Sequence, residues 1–311
     1  MSPQSRDPVD LSVDLGFLKL KNPVLAASGT FGYGKEFTPF LDLDRLGGFV
    51  VKGLYTSPRA GNPPPRLVET AGGLINAIGL QGVGVERFAH EILPGLRKHK
   101  TALIVNVCGD DEQEYASVVK YLDGHEGIAA YEINISCPNV KRGGSCPALK
   151  PEDTRTIVET VRKATSRPII TKLSPNVTDI VSIALSAQEA GSDALALVNT
   201  FLAMAVDPET RKPKLSNVFG GLSGPAIKPI ALRMVFQVAR EVSIPVVGIG
   251  GIVSVEDALE YLIVGAHAVQ VGTGNFIDPE TTLKIIDGLE KYCLDHSISR
   301  LDSIIDTVEI P

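Results

Sequence analysis

Aromatic residues, basic runs and long apolar stretches are all scarce in this chain, and each scarcity excludes a class of protein. The 311 residues include no Trp and only 5% aromatic residues. Small and β-branched side chains must therefore build the core, which is typical of a parallel sheet covered by helices. No apolar stretch is long enough to cross a bilayer. The net charge of −6 and the lack of Lys-rich or Arg-rich runs argue against binding to nucleic acid or to anionic membranes.

Cysteine and histidine are also sparse, and they do not cluster. The four cysteines, Cys108, Cys137, Cys146 and Cys293, form no CxxC pair, which argues against a zinc ribbon or an iron–sulfur site in this chain. They are too few for a disulfide framework. The five histidines are scattered, so we predict no metal site. The N-terminal residues lack the apolar segment of a secretory signal, and we expect a cytoplasmic protein.

Short apolar runs alternate along the chain with amphipathic segments of helix length. Continuous apolar strands separated by helices predict a parallel sheet, and eight such units predict a single α/β domain over residues 1–311, a (β/α)8 TIM barrel. An open doubly wound sheet is the alternative, but no GxGxxG follows the first run. The eight runs lie at residues 23–28, 48–53, 102–107, 129–136, 168–174, 194–199, 244–250 and 267–273. The candidate helices lie roughly at residues 84–98, 111–122, 151–165, 178–190, 226–241, 254–264 and 279–293.

Two connections between the apolar runs are longer than the others. Residues 54–83 contain consecutive prolines, and residues 200–225 form a long polar segment. In barrel enzymes such insertions follow the C-terminal ends of strands and cover the active site. We therefore expect inserted loops or strands over the C-terminal face of the barrel.

Glycine-rich turns follow the last two apolar runs, as GIGG at 248–251 and VGTG at 271–274. Glycine lets backbone N–H groups approach an anion closely, and the loops after the seventh and eighth strands are the usual phosphate site of this fold. The alternative is that these glycines only form tight turns. The position of both turns favours a phosphate site.

Polar side chains interrupt the apolar runs near their C-terminal ends. A buried amide or ammonium is costly unless it is paired, and any single one of these residues could be a satisfied core group. Six on separate strands would converge at the mouth of a barrel, which indicates a polar, planar ligand. The two lysines would balance an anionic group. The six residues are Ser28, Lys52, Asn106, Asn134, Lys172 and Asn199.

The segment INISCPNVKRGG, residues 133–144, places Cys137 directly after the fourth run, in a loop with Lys141 and Arg142. Neighbouring cations lower the pKa of a thiol, so Cys137 could act as a base. By position alone, a cysteine is more often a small buried hydrophobic residue, and we assign that role to the other three cysteines.

An ordered set of motifs extends over almost the whole chain: NPVLAASGTFGYG, VVKGLY, INAIGLQG, EINISCPNVKRGG, LVNTFLAMAVD, GGLSGPAIKPIALRMV, VGIGGI and VGTGNF. In this set the chain resembles the dihydroorotate dehydrogenases. The resemblance implies oxidation of (S)-dihydroorotate to orotate in de novo pyrimidine (UMP) biosynthesis, with removal of the C5 proton by a base and transfer of the C6 hydride to FMN. The soluble class 1 members use a cysteine as the base, which corresponds to Cys137.

The resemblance also implies which residues bind the cofactor and the substrate. In such an enzyme the flavin carries out the redox chemistry, and the protein supplies geometry and charge. FMN would contact Ser28, Lys52, Gly53, Asn106, Asn134, Lys172, Val198, Gly224, Gly250, Gly251, Gly272 and Thr273. Dihydroorotate would contact Lys52, Asn76, Ala77, Ile78, Gly79, Leu80, Asn134, Asn199 and Thr200.

Within class 1, SCPNVKRGG and GGLSGPAIKPIALRMV resemble the class 1B subgroup. Its members pair with a second subunit that carries FAD and a [2Fe–2S] cluster and passes electrons to NAD. This resemblance implies a homodimer, or a heterotetramer with the electron-transfer subunit. The chain departs from the family pattern in LQGVGVERF around Gly82–Gly84, at Cys108, and in SCPALK with Cys146. These departures bear on the substrate loop, on packing beside the flavin and on closure of the catalytic loop.

Three other functions are compatible with these motifs. A class 1A-like enzyme would use fumarate as the electron acceptor. Another FMN barrel reductase would act on free pyrimidines or on uridine in RNA, although RNA binding calls for a basic surface. A flavin-free barrel that serves as a binding module would be colourless and would have no use for both Lys52 and Cys137.

Overall fold

The computed structural model describes residues 9–136 and 149–310, and a closed barrel of eight parallel strands lies at its centre. We number these strands β1 to β8. Each strand pairs with the next one along the chain, and β8 pairs with β1. The predicted TIM barrel and its eight predicted strands are therefore confirmed. The strands are β1 (Val24–Ala26), β2 (Gly48–Leu54), β3 (Ala102–Val107), β4 (Ala130–Asn134), β5 (Ile169–Lys172), β6 (Ala194–Leu197), β7 (Val246–Ile249) and β8 (Ala268–Val271).

Six longer helices follow the barrel strands from β3 onward, and side chains in their first turns fix where several begin. Ser254 and Asp257 form a capping box at the start of α5. Asp179 is the N-cap of α3, and it accepts hydrogen bonds from the N–H groups of Val181 and Ser182. The helices are α1 (Glu112–Asp123), α2 (Pro151–Ala164), α3 (Ile180–Glu189), α4 (Lys228–Ala239), α5 (Val255–Ile263) and α6 (Thr281–Asp295). In the part of the chain that the structure describes, every helix is too short or too polar to cross a membrane.

The segment predicted as one helix over residues 84–98 is broken into three pieces. An α-helical turn at Val85–Arg87 leads into a π-helical turn at Phe88–Ile92, and a second α-helical turn follows at Leu93–Leu96. Pro94 lies at the start of the last piece and has no N–H to continue the regular hydrogen-bond ladder. The prediction of a single regular helix was therefore wrong for this segment.

The core has two parts, one inside the barrel and one between the strands and the helices. Alternate residues of each strand point inward. Toward the N-terminal ends of the strands, the inward side chains are small or branched apolar residues. They include Leu25, Val50, Ile104, Ala130, Ile170, Ala194, Val247 and Ala268. A short hairpin of Val13–Asp14 and Lys19–Leu20 packs against this interior cluster.

The two long connections follow the C-terminal ends of β2 and β6, and they combine in one antiparallel sheet. This confirms the prediction of strands inserted at the C-terminal face. The sheet contains, in spatial order, Phe201–Met204, Phe219–Ser223, Gly73–Asn76 and Leu67–Thr70. The remaining short elements are the strand pair Val206–Asp207 and Lys212–Pro213, the α-helical turn Gly274–Ile277, and the 3-10 turns Leu43–Arg45, Pro225–Ile227 and Leu301–Ile304.

Candidate active site

A layer of polar side chains lies directly above the apolar interior of the barrel. Because alternate residues of a strand point to the same side, the residues two positions beyond the interior residues of β3, β4, β5 and β8 also point into the barrel. All four are polar, and each is at most 5% exposed. Buried polar groups of this kind must find partners within the protein. The four residues are Asn106, Glu132, Lys172 and Gln270.

The Glu132 carboxylate joins this layer together. Its Oε1 accepts hydrogen bonds from Asn106 Nδ2 at 2.6 Å and from Ser28 Oγ at 3.0 Å. The Lys172 ammonium lies 3.5 Å from the same oxygen and 3.3 Å from Ser28 Oγ. The other carboxylate oxygen, Oε2, accepts a hydrogen bond from Gln270 Nε2 at 2.8 Å. Three predicted flavin contacts are therefore held by one buried carboxylate.

Glu132 and Gln270 were missed by the sequence analysis. Both interrupt apolar strands, in AYEIN and AVQV, just as the six predicted polar residues do. Glu132 precedes Asn134 by two residues and therefore shares its side of β4. The period of two would have identified Glu132 as an inward-facing charge, but its partners become visible only when the barrel closes.

Lys52 lies in β2 at a β-bulge, because the pairing of β2 with β3 shifts by one residue between Val51 and Leu54. Bulges redirect side chains beside active sites. Burial lowers the pKa of the half-buried Lys52 ammonium, the nearby Arg66 lowers it further, and Glu36 partly opposes both effects. Within residues 9–136 and 149–310, Lys52 takes part in no ion pair. Unlike Lys172, it therefore has no carboxylate within ion-pair distance in the described structure.

Gly53 is the other residue of the bulge, and it lies against Asn106 and Cys108. A Cβ at Gly53 would lie 2.8 Å from Asn106 Oδ1 and 2.8 Å from Cys108 Sγ, so only glycine fits without displacing them. Cys108 is fully buried, and its Sγ donates a hydrogen bond to Asn106 Oδ1 at 3.4 Å. This departure from the family pattern therefore contacts the amide of a predicted flavin-binding residue.

A second group of predicted site residues lies beyond this layer, where the barrel meets the inserted sheet. Asn134 Oδ1 accepts a hydrogen bond from Asn199 Nδ2 at 3.2 Å, and Asn199 Oδ1 accepts one from the N–H of Thr200 at 2.8 Å. Asn76 Nδ2 donates to the Gly221 carbonyl at 3.2 Å. A Cβ at Gly221 would lie 2.0 Å from Thr200 Oγ1. These contacts bring the predicted substrate residues of the barrel and of the sheet together.

The rest of the predicted substrate segment, residues 77–80, leaves the inserted sheet as a loop. Asn62 holds this loop, because its side chain donates to the Ala77 carbonyl at 2.9 Å and its N–H donates to the Ile78 carbonyl at 3.0 Å. Gly79 has a φ of +72°, and a Cβ there would lie 2.5 Å from the backbone nitrogen of Asn62. The shape of the loop therefore depends on glycine at this position.

The glycine-rich turns after β7 and β8 meet at Gly224, the residue that follows the inserted strand ending at Ser223. Gly224 has a φ of +99°. A Cβ at Gly251 would lie 2.9 Å from the Gly224 carbonyl oxygen, and a Cβ at Gly224 would lie 3.5 Å from Thr273 Cγ2. Thr273 Oγ1 donates to Ser223 Oγ at 2.8 Å. Three predicted flavin contacts from separate segments therefore form one cradle.

Three further predicted flavin contacts lie at the same strand ends. The N–H of Val198 donates to the carbonyl of the last residue of β7 at 2.9 Å. Gly250 has a φ of +138°, and its carbonyl accepts a hydrogen bond from the Tyr261 hydroxyl at 2.8 Å. A Cβ at Gly272 would lie 3.8 Å from Ala27 Cβ, an ordinary van der Waals contact, so this turn is not crowded. These residues line the strand ends beside the glycine cradle.

Cys137 and Cys146 lie outside the described residues. The last described residue before Cys137 is Ser136, whose hydroxyl donates to the Lys172 carbonyl at 3.0 Å. The chain therefore leaves β4 beside the C-terminal end of β5, at the level of the polar layer.

The Gly82–Gly84 turn, the first departure from the family pattern, packs against the connection that follows β2. Arg59 and Gly82 exchange two backbone hydrogen bonds, of 2.9 and 3.0 Å. Gly84 has a φ of +80°, and a Cβ there would lie 2.8 Å from the nitrogen of Pro58. The glycines of this turn therefore permit a close approach of the two segments.

Taken together, these groups can bind a planar ligand that has polar edges and an anionic end. Amides and a carboxylate-bound lysine form one wall, and a half-buried ammonium outside any ion pair of the described residues lies on the bulge. The glycine cradle leaves room for an anion to approach the backbone. Among the described residues, no group of three or more His, Cys, Asp or Glu side chains is arranged to bind a metal ion.

Comparisons with known proteins identify the family of this chain. Residues 10–293 match the family model described as dihydroorotate dehydrogenase. A curated protein of Citrifermentans bemidjiense, named dihydroorotate dehydrogenase B (NAD(+)), catalytic subunit, is 52% identical over 97% of this chain and 99% of its own length. A protein of Geobacter sulfurreducens with the same name is also 52% identical, over the same shares of the two chains. A crystal structure of DHODH from Eimeria tenella in complex with ferulenol has a TM-score of 0.79 and 23% identity, and the match covers 98% of this chain and 90% of that one.

Proposed function

The chain belongs to the dihydroorotate dehydrogenase family, and from that premise we propose that it is an FMN-dependent catalytic subunit that oxidises (S)-dihydroorotate to orotate in pyrimidine biosynthesis. We further propose that residues 1–311 form one FMN-binding barrel domain. The observation that carries the proposal is the convergence of Lys52, the asparagine group and the glycine cradle at the C-terminal end of one barrel.

The residues at this end of the barrel fit FMN. The cradle formed by Gly224, Gly251 and Thr273 is shaped by positions that a Cβ would fill, and backbone N–H groups in such turns bind phosphate. Ser28, Lys52, Gly53, Asn106, Asn134 and Lys172 would hold the flavin ring, and Val198, Gly250 and Gly272 would line its ribityl and phosphate end.

Dihydroorotate would bind between the barrel and the inserted sheet. Asn134, Asn199 and Asn76 offer amide donors and acceptors that match the imide edge of the substrate. Lys52 offers an ammonium to an anionic group, and its lack of an ion pair in the described structure leaves that charge available. Thr200 and the loop at residues 77–80 would close the remaining sides.

In the proposed reaction Cys137 removes the C5 proton of dihydroorotate. When bound, FMN supplies the acceptor for the hydride that leaves C6. The side chains of the chain hold the substrate so that C5 faces the base and C6 faces the cofactor, which converts a bimolecular encounter into an oriented one. Lys52 stabilises negative charge during proton removal, because it is half-buried and its field is weakly screened.

We also propose that electrons leave through a partner subunit. The relatives from Citrifermentans bemidjiense and Geobacter sulfurreducens are named NAD(+)-linked catalytic subunits, and a catalytic subunit implies a second subunit. As the resemblance to class 1B implies, that partner would carry FAD and a [2Fe–2S] cluster, and the lack of a CxxC motif in this chain fits such a division. A homodimer, or a heterotetramer with two partner subunits, and a location in the cytoplasm complete the proposal.

The test is an absorbance spectrum of the purified chain, followed by anaerobic addition of dihydroorotate. A yellow protein with bound FMN that bleaches on addition supports the proposed half-reaction. A yellow protein that does not bleach would exclude dihydroorotate as the substrate, and a colourless protein that cannot be loaded with FMN would exclude the cofactor. Reoxidation of the bleached chain by fumarate alone would exclude the partner subunit as the required route.

A further inference from the structure

The ion pair between Glu132 and Lys172 lies in the floor of the proposed flavin site, and Glu132 takes no part in the proposed reaction. We propose that Glu132 is a positioning residue that offsets the charge of Lys172, and that it thereby limits the preference of the site for reduced over oxidised flavin. This inference rests on the proposed function, because it requires flavin to bind above the polar layer.

The surroundings of Glu132 are those of a charged group rather than of a packing residue. Four donors converge on its two oxygens, from Ser28, Asn106, Lys172 and Gln270. Glu132 has no exposed surface, so water does not screen its field, and its effect on neighbouring charges is far stronger than at a surface. A buried carboxylate costs much desolvation, and an apolar side chain would fill this position without that cost.

The two lysines of the site differ in their compensation. Lys172 has Glu132 at 3.5 Å, whereas Lys52 takes part in no ion pair among the described residues. A reduced flavin carries more negative charge than an oxidised one, so each uncompensated cation beside it favours reduction. The Glu132 carboxylate cancels much of the field of one cation. Reduction by substrate therefore stays favourable, while release of the electrons to the next acceptor stays possible.

Glu132→Gln separates the charge of this residue from its hydrogen bonds. Its amide oxygen can replace Oε1 and accept from Asn106 and Ser28. Its amide nitrogen would then face Gln270, which can rotate its own amide to present Oε1. That oxygen is buried and makes no hydrogen bond to the described residues, so the rotation exchanges the present Gln270 Nε2 bond for one that Oε1 accepts, and the number of hydrogen bonds between the two side chains is kept. The variant should therefore keep the shape of the site and lose one negative charge.

The measurement is the flavin midpoint potential of the purified, FMN-loaded chain, determined by photoreduction against a reference dye, together with the FMN dissociation constant from fluorescence quenching. Glu132→Gln should raise the preference for reduced over oxidised FMN about tenfold, which for a two-electron couple is a rise of about 30 mV. Glu132→Asp keeps the charge, and its potential should stay near that of the parent even if its stability falls. Glu132→Gln combined with Lys172→Met removes both charges and should return the potential toward the parent value.

Asp193→Asn is the matched control, because Asp193 pairs with Arg162 at 2.9 Å at the other end of the barrel, beside the start of β5. It should leave the potential unchanged. An equal potential for Glu132→Gln and Asp193→Asn would overturn this inference. The proposed function is tested separately, since it would still stand if the parent protein binds FMN and bleaches with dihydroorotate. If Glu132→Gln does not fold, the Glu132→Gln, Lys172→Met double variant still decides. Stable folding of the double variant supports a charge pair, and its failure would show that Glu132 acts as a structural group.

Discussion

Gly53→Ala tests whether the bulge in β2 requires a residue without a side chain at position 53. The new Cβ would lie 2.8 Å from Asn106 Oδ1 and 2.8 Å from Cys108 Sγ. Neither atom can move freely, because Asn106 is hydrogen-bonded to Glu132 and Cys108 is fully buried. Overpacking of this kind costs about 1–3 kcal/mol. For a chain of 311 residues, that cost corresponds to a fall in melting temperature of about 2–5 °C.

The same substitution should weaken FMN binding, because Asn106 must shift to admit the methyl group. We expect the FMN dissociation constant to rise about tenfold, which corresponds to about 1.4 kcal/mol. The assay is fluorescence quenching of FMN with the apoprotein, beside thermal unfolding of the same preparation. Adding Cys108→Ala to Gly53→Ala removes one of the two close contacts and should recover part of both losses.

Gly95→Ala is the matched control for this substitution. Gly95 is exposed in the helical turn Leu93–Leu96, and a Cβ there would meet nothing within 4 Å. Alanine in a helix is more favourable than glycine by about 0.5–1 kcal/mol, so this variant should be slightly more stable and should bind FMN like the parent. If Gly53→Ala behaved like Gly95→Ala in both assays, the argument that the bulge requires glycine would be refuted.

The remaining predictions concern the charge, the base and the cradle. Burial lowers the pKa of Lys52, so the affinity for dihydroorotate should fall above that lowered pKa, at pH values where an ordinary lysine is still charged. Lys52→Met should bind dihydroorotate at least about tenfold more weakly than the parent, and its affinity should not change with pH over the range in which Lys52 ionises. A parent protein whose affinity for dihydroorotate does not change over that range would contradict the reasoning. Cys137→Ser should retain FMN but bleach slowly with dihydroorotate at neutral pH, because a hydroxyl is a far weaker acid; an unchanged rate in stopped-flow reduction would exclude Cys137 as the base. Gly251→Ala places a Cβ 2.8 Å from Lys228 Cβ at a φ of +70°, so it should weaken FMN more than riboflavin, and equal losses would argue against a phosphate cradle.

The barrel could be predicted because its strands are recognisable without their partners. Each of the eight strands lies within, or within one residue of, an apolar run, and the helices between them begin at residues such as Ser254 that cap a helix locally. Strand length, apolar content and capping are properties of neighbouring residues. The prediction of one helix after Gly84 was wrong for a local reason as well, because Pro94 interrupts a pattern that is otherwise helical.

The partners of Glu132 could not be predicted, because they come from strands far apart in the sequence. Gln270 is 138 residues from Glu132, and Ser28 is 104 residues from it. The pattern in β4 shows that a charge faces inward, but only the order of strands around the closed barrel shows which residues meet it. The bulge at Lys52 has the same origin, since it is defined by the pairing of β2 with β3 rather than by residues 51–54 alone.

The site has a floor, formed by the polar layer inside the barrel, and an upper part, formed where the barrel meets the inserted sheet. Different kinds of contact build the two parts, and their functions differ accordingly. The floor, with Glu132 and Lys172, belongs to barrel strands whose side chains are buried on all sides, so its geometry is fixed by the core. The upper part exists only where two insertions pair, since Asn76 reaches the carbonyl of a residue 145 positions away. Changes in the floor should therefore alter cofactor affinity and potential, because this rigid layer is the proposed contact surface of the flavin. Changes in the pairing of the inserted sheet should alter the KM for dihydroorotate first, because they move Asn76 relative to Thr200 without disturbing the layer below.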